Sequence, residues 1–252
     1  MTVLALRLGG PLQSWGTSQR LDRFRRTERF PTKSALVGLL AAALGRSRAD
    51  AVDNLGALRF GVRADRPGEV LRDFHTLSSL FDDKGRFTPT AGRLPTASGG
   101  YRSAATSIQV TERFYLTDAC FVAGFEGDAA FLGELDEALR FPAFPLYLGR
   151  RSCPPDRPLR LGIHDGTLLE VLSSIAWQAG GGRNGGGPAV TCEAVFEDPS
   201  GDREVIDEVR NFHPIHRSYG RRRVRHNELA VPNPAAAIST QPHDPMSLLE
   251  ED

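Results

Sequence analysis

Three observations predict an α+β fold that is ferredoxin-like (RRM-like) in its first part. Residues 1–155 read in the order strand, helix, strands, strand, helix, strand, which is the split βαβ pattern. The first helix, SALVGLLAAALG, is apolar almost all round, so it needs burial against a sheet rather than a place on the surface. Beyond Pro158 the pattern becomes mostly short strands, a smaller and mostly β C-terminal region over 156–232.

The elements follow in order. Val3 to Leu8 is a buried strand stopped by Gly9, Gly10 and Pro11. A turn, PLQSWG, leads into a charged loop; Trp15 in it either stacks on a base or closes the core, and packing is the usual fate of a large aromatic near a strand end. Thr32 is the N-cap of the helix from Lys33 to Leu44, and Gly45 its stop. Leu58 to Ala64 and Val70 to Leu77 read as a strand pair joined through DRPG. Residues 78–107 are rich in Gly, Pro, Ser and Thr, a length of polar chain that in a compact domain is functional or disordered.

Ile108 to Phe125 returns to strand. Asp128 to Leu139 is a helix with Phe131, Leu132, Leu135, Ala138 and Leu139 on one face, and Phe144 to Leu148 is a short strand. Then come a strand at Leu159 to Ile163, a helix at Thr167 to Ala179 and a glycine-rich loop at 180–187. Strands near Ala189 to Phe196 and Glu204 to Arg210 precede a run with five arginines in nine residues, Arg217 to Arg225. That run can touch RNA, DNA or the acidic stretch Glu197 to Glu208. The Pro-rich, acidic end, 233–252, reads as a mobile tail.

Charge gives the most specific functional signal. The chain carries 31 basic and 31 acidic residues, so it is neutral overall. Against that background Arg20, Arg23, Arg25, Arg26, Arg29 and Lys33 crowd one short loop with only Asp22 and Glu28 for balance. Phe24 and Phe30 lie among them. Cations interleaved with rings suit a single-stranded nucleic acid, because cations track phosphates and rings stack bases. The N–H groups at the start of the following helix, with Lys33 and Ser34, offer a further phosphate seat. The alternative is a solvated charged loop.

Other chemistries find less support. The three cysteines, Cys120, Cys153 and Cys192, show no zinc or disulfide spacing, which fits a reducing, cytoplasmic setting and no metal cofactor. No apolar run is long enough for a membrane span. Gly180, Gly182 and Gly185 match GxGxxG formally, but the match follows a helix and precedes a strand, the wrong context for a dinucleotide. His213 and His216 lack a third ligand. Metal-free RNA cleavage needs a base and an acid or cation at one 2′-OH. His75, Tyr101, Tyr115 and Lys33 supply the types, while nothing in their spacing makes them meet.

Five segments occur in order: RLGGPLQSWG, RFPTKSALVGLLAAALG, DFHT, ERFYLTDACF and LYLGRRSCPP. Together they resemble the CasD subunits of type I-E CRISPR Cascade complexes, which belong to the repeat-associated mysterious proteins. The resemblance is good over residues 1–155 and weaker beyond. It implies a non-catalytic subunit that binds the 5′ handle of CRISPR RNA and caps the complex. It implies contact with the CasC backbone subunit through a thumb hairpin, placed here at about 78–107, and with the CasA large subunit; target DNA is met only through the complex. In this subtype another subunit cuts the precursor RNA, but relatives elsewhere are themselves endoribonucleases, so metal-independent processing of repeat RNA is the alternative activity. On this resemblance Arg102, Thr106 and Gln109 at the return of the thumb contact RNA, as do Tyr147, Gly149, Arg150 and Arg151 in the LGRRSC motif. A third class, a structural assembly protein that binds no RNA, fits the neutral total charge.

Overall fold

A computed structural model describes residues 1–16, 24–77, 100, 109–180, 187–213 and 217–237. The expected thumb at 78–107 (apart from Gly100), the loop at 181–186 and the tail beyond 237 lie outside the described residues.

Among the described residues, eleven strands and four α-helices follow one another: β1 (Thr2–Gly9), β2 (Leu12–Gln13), β3 (Phe24–Arg25), α1 (Lys33–Ala43), α2 (Asp53–Gly56), β4 (Arg59–Arg66), β5 (Glu69–Leu77), β6 (Gln109–Thr117), β7 (Cys120–Gly127), α3 (Ala129–Arg140), β8 (Arg160–Asp165), α4 (Leu168–Ser174), β9 (Ala189–Glu197), β10 (Arg203–Asn211) and β11 (Ser218–Pro232). A 3-10 turn at Pro234–Ala237 closes the described chain. The structure is thus mixed α+β and dominated by antiparallel sheet.

The main sheet has seven strands in the order β10-β11-β9-β4-β7-β1-β8. Strands β1 and β7 are buried over nearly their whole length. Alternation sorts their side chains: Leu4, Leu6 and Leu8 of β1 with Phe121, Ala123 and Phe125 of β7 face α1 and α3 in the main core. Val3 faces α4 on the other side, against Leu168 and Val171. Helix α1 ends as expected. Gly45, at φ 75°, sends its N–H to the Ala42 carbonyl and Arg46 sends its own to Ala41, a Schellman closure. Asp128 caps α3 by accepting from the Phe131 N–H at 3.0 Å.

The second sheet is small and decides the site. Strand β6 pairs along its length with β5, and on its other edge with β2 and, in parallel, with β3. The chain leaves the main sheet after β4 and returns at β7. Both crossings meet at one corner, where Gly68 (φ 71°) and Asp118 (φ 52°) take left-handed backbone. A Cβ on Gly68 would run into the Thr117 carbonyl and Ala119.

Four expectations are corrected. The run Ile108 to Phe125 is two strands in two sheets, because Asp118 turns the chain between them. The strands on either side of DRPG are not a pair: β4 bonds to β7 and β9, β5 to β6. Phe144 to Leu148 is not a strand; Pro142 and Pro145 remove donors, and Leu148 instead exchanges bonds with Ser14 and Cys153. The helix at Thr167 stops at Ser174 rather than Ala179. Its end is captured by Arg63, fully buried and paired with Asp65 at 2.6 Å, which also donates to the Leu172, Ile175 and Ala176 carbonyls. Asp65 then takes the Trp177 indole on its carbonyl and the Gln178 N–H on its carboxylate. Strands β9, β10 and β11 extend the main sheet through the β9–β4 pairing.

Candidate nucleic-acid interface

Register places a set of polar side chains on one face of the small sheet. Arg113 in β6 stands opposite Asp73 in β5 and, across the parallel edge, beside Arg25 in β3. Thr111 and Tyr115, two residues either way, share that face. The loop after α3 brings Arg150 down onto it. The Arg150 guanidinium lies 4.6 Å from the centre of the Tyr115 ring and donates to the Arg25 carbonyl at 2.9 Å.

The loop that carries Arg150 is held firmly. Ser14 N–H donates to the Leu148 carbonyl, Leu148 N–H to Cys153 and Cys153 N–H to Arg150. Gly149 adopts φ 85°, and a Cβ there would overlap the Ser14 carbonyl. The close approach that glycine serves at 149 is therefore to the protein's own chain. The start of the basic loop is pinned nearby: Trp15 N–H donates to the Thr27 hydroxyl and Glu28 N–H to the Trp15 carbonyl. Trp15 itself is fully buried, its indole on Gln13, so it closes the core.

The electrostatics of this face are unbalanced. Burial, then Arg113 and Arg150, pull the Arg25 guanidinium below its usual pKa. Burial works to raise the Tyr115 phenol, but hydrogen bonds from Arg150, Ser152 and Arg113 outweigh it and leave it below the usual range. Arg113 Nε, Arg150 Nη1 and Thr111 Oγ1 are buried with no hydrogen-bond partner. Buried guanidinium N–H groups without an acceptor are costly, and an incoming anion would satisfy them.

The remaining expected residues divide. Arg26, Arg29 and Arg151 are exposed, and none has an ion pair among the described residues. Tyr147 is half-buried beside the loop, and Gln109 opens β6 opposite Leu77. Arg20, Arg23, Arg102 and Thr106 lie outside the described residues. Lys33 and Ser34 are turned inward. Lys33 is 2% exposed and bonded to Glu197 at 2.8 Å, and Ser34 is buried against the Thr32 hydroxyl. The helix N-terminus holds a protein anion: Asp207 accepts the Lys33 N–H at 2.8 Å. The second arginine run is also largely spent inside the chain, with Arg221 on Glu204, Arg222 on Asp207 and Arg225 on Asp198. Of the three partners left open for it, the acidic stretch is the one these three arginines meet.

Sequence reading missed Arg113, Thr111 and Ser152. The alternation Thr111, Arg113, Tyr115 was the available signal, since in a strand those three share a face. Of the set with catalytic potential, Tyr101 lies outside the described residues, and the other three do not converge. His75 bonds to Asp73 at 2.5 Å, but it pairs with Thr111, four residues along β6 from Tyr115, a separation of roughly 13 Å. Lys33 is tied to Glu197 in the main sheet. Among the described residues no cluster of His, Cys, Asp and Glu is arranged to hold a metal, and no helix is long and apolar enough to cross a membrane.

The family model for CRISPR-associated proteins described as Cas_Cas5 matches residues 3–225. The chain belongs to the Cas5 family. The Cascade subunit CasD of Escherichia coli (strain K12) is 39% identical to this Cas5 chain over 176 residues, which cover 64% of the chain and 70% of CasD. A solved chain of a CRISPR RNA-guided surveillance complex superposes with a TM-score of 0.78 at 32% identity, covering 91% of both chains. A second, described as a Cas protein, gives a TM-score of 0.67 at 36% identity over 91% of this Cas5 chain and 97% of its own.

Proposed function

We propose that this protein is a non-catalytic RNA-binding subunit of a cytoplasmic CRISPR surveillance complex. It binds the 5′ handle of CRISPR RNA on the small sheet and caps the backbone of a complex that targets foreign DNA. The observation that carries the reading is the Arg25–Arg113–Arg150 set around Tyr115, with two of its guanidinium N–H groups unsatisfied. Phosphates of a single strand would meet those donors, and exposed Arg26 and Arg151 extend the track.

The strand order β4-β7-β1-β8, with α1 and α3 on one face, supports a ferredoxin-like core around which the other strands are added. The opposite face of the small sheet exposes Phe24, Val70 and Phe74. Such a patch suits a protein neighbour, and we assign it to a CasC-type backbone subunit, with a CasA-type large subunit alongside. The separation of His75 from Tyr115 and Lys33 argues against the endoribonuclease reading.

A gel shift in EDTA with 5′-labelled repeat RNA, intact and pre-cut to the handle, tests this. The expected result is a shifted, uncut handle preferred over a scrambled strand, weakened by the joint replacement of Arg113 and Arg150 with Ala. Cleaved repeat RNA, lost in His75→Ala, would transfer the protein to the endoribonuclease class.

A further inference from the structure

A second site lies on the main sheet, away from the arginine face. Between the segment 28–32 and strands β9, β10 and β11 runs a groove of about 710 Å³. That volume is in the range of cavities that hold a small ligand or a few residues of peptide. Its floor is apolar, with Val62, Val195 and Val224 from adjacent strands.

Its walls carry two unresolved electrostatic features. First, Glu193 in β9 and Glu228 in β11 stand directly opposite each other in the register, and both line the groove. Like charges directly across a strand pair repel, and neither has an ion-pair partner among the described residues. Second, Arg222 is 8% exposed and gives Nε and Nη2 to Asp207, yet its Nη1 is buried without an acceptor.

The chemistry these features request is specific. Of five carboxylates lining the groove, Glu204 is held by Arg221 and Asp207 by Arg222, which leaves Glu28, Glu193 and Glu228 against Arg29 and Arg203. Burial and Arg203 hold His226 below its usual pKa, so it adds no charge at neutral pH. An anion is therefore repelled, in contrast to the small sheet. The unfilled positions ask for a cation between Glu193 and Glu228 and a neutral carbonyl at Arg222 Nη1. A metal ion is a poor match, since no metal-holding cluster occurs among the described residues. A peptide offers both groups at once: the side-chain cation and the backbone C=O. A nucleotide base offers a carbonyl but brings its phosphate.

We propose that this groove is a docking site for an extended peptide segment bearing Arg or Lys, presented by a neighbouring protein. The cation seats between Glu193 and Glu228, and a backbone carbonyl takes Arg222 Nη1. The site is independent of the RNA face.

The full chain is titrated with a fluorescein-labelled, end-capped Gly-Ser-Arg-Ser-Gly peptide and followed by anisotropy. A citrulline version, which keeps the shape and loses the charge, serves as the control. Saturable binding at or below millimolar peptide is expected, with citrulline about tenfold weaker or worse. The double change Glu193→Gln and Glu228→Gln should abolish that preference while the RNA gel shift is unaltered. Removing a repulsive pair should not impair folding, and the melting curve verifies it. Equal binding of the arginine and citrulline peptides, or no binding in the millimolar range, would overturn the proposal. So would displacement of the peptide by cytidine monophosphate, which would give the groove to a base.

Discussion

Arg150 sits over the ring of Tyr115, 4.6 Å from its centre, although 35 positions of sequence and a change of sheet separate them. The stack fixes a guanidinium whose Nη1 has no partner among the described residues. Replacing Arg150 with Ala should weaken handle binding and flatten its salt dependence by roughly 0.7 in the log–log slope for a single phosphate contact. Arg150→Lys should restore the slope but not the affinity, because an ammonium keeps the charge and loses the planar stack. Equal affinity for Lys and Arg would show that charge alone acts there. Filter binding across a salt series reads both quantities.

Arg113 separates binding from stability. Its Nε is a buried donor with nothing to bond. Arg113→Met should leave the melting temperature unchanged or raise it, since an unsatisfied buried N–H costs about 1–3 kcal/mol. Handle affinity should fall in the same variant. A destabilised protein with normal RNA affinity would make Arg113 a structural residue.

Lys33 should behave in the opposite way. It is buried on Glu197, and its N–H caps onto Asp207. Lys33→Met leaves Glu197 without its cation and should cost about 3 kcal/mol or somewhat less, since Glu197 is partly exposed. Denaturant melts measure this. RNA affinity per folded molecule should not change.

Gly149→Ala tests the platform under Arg150. The new methyl would collide with the Ser14 carbonyl at a backbone angle that L-residues avoid. A loss of about 1–3 kcal/mol is expected, together with weaker RNA binding from a displaced Arg150.

The cysteines predict an alkaline limit. Burial pushes Cys120 and Cys192 up to about 11, two units above the usual thiol. Between pH 9 and 11 the unfolded chain releases thiol protons that the folded chain keeps, so stability falls as pH rises across that window. The slope approaches about 1.4 kcal/mol per pH unit for each thiol. Urea melts at stepped pH measure it. Alkylation of the native protein at pH 8 should be slow at both sites.

Much of the core was legible in advance. Thr32, Gly45 and Asp128 mark helix ends through chemistry confined to one turn, and they sit where their residue types require. The apolar alternation of β1 and the uninterrupted apolar helix α1 likewise state which surfaces are buried. Helix α4 was overextended because its end is set by Arg63, more than a hundred positions away.

The arginines mark the division most sharply. Residue order alone determined that cations gather at 20–33 and 217–225, that α1 is buried, and that five segments recur in the order found in CasD subunits. It could not determine which cations are free. Arg221, Arg222 and Arg225 lose their availability to carboxylates brought alongside by the β10–β11 register and the adjoining turn, and Lys33 to one on β9. Arg113 gains its role only because β3, β5 and the 149–152 loop converge on its face. Charge pairing acts through a few ångströms of space and is indifferent to distance along the chain, so only the tertiary structure could decide it.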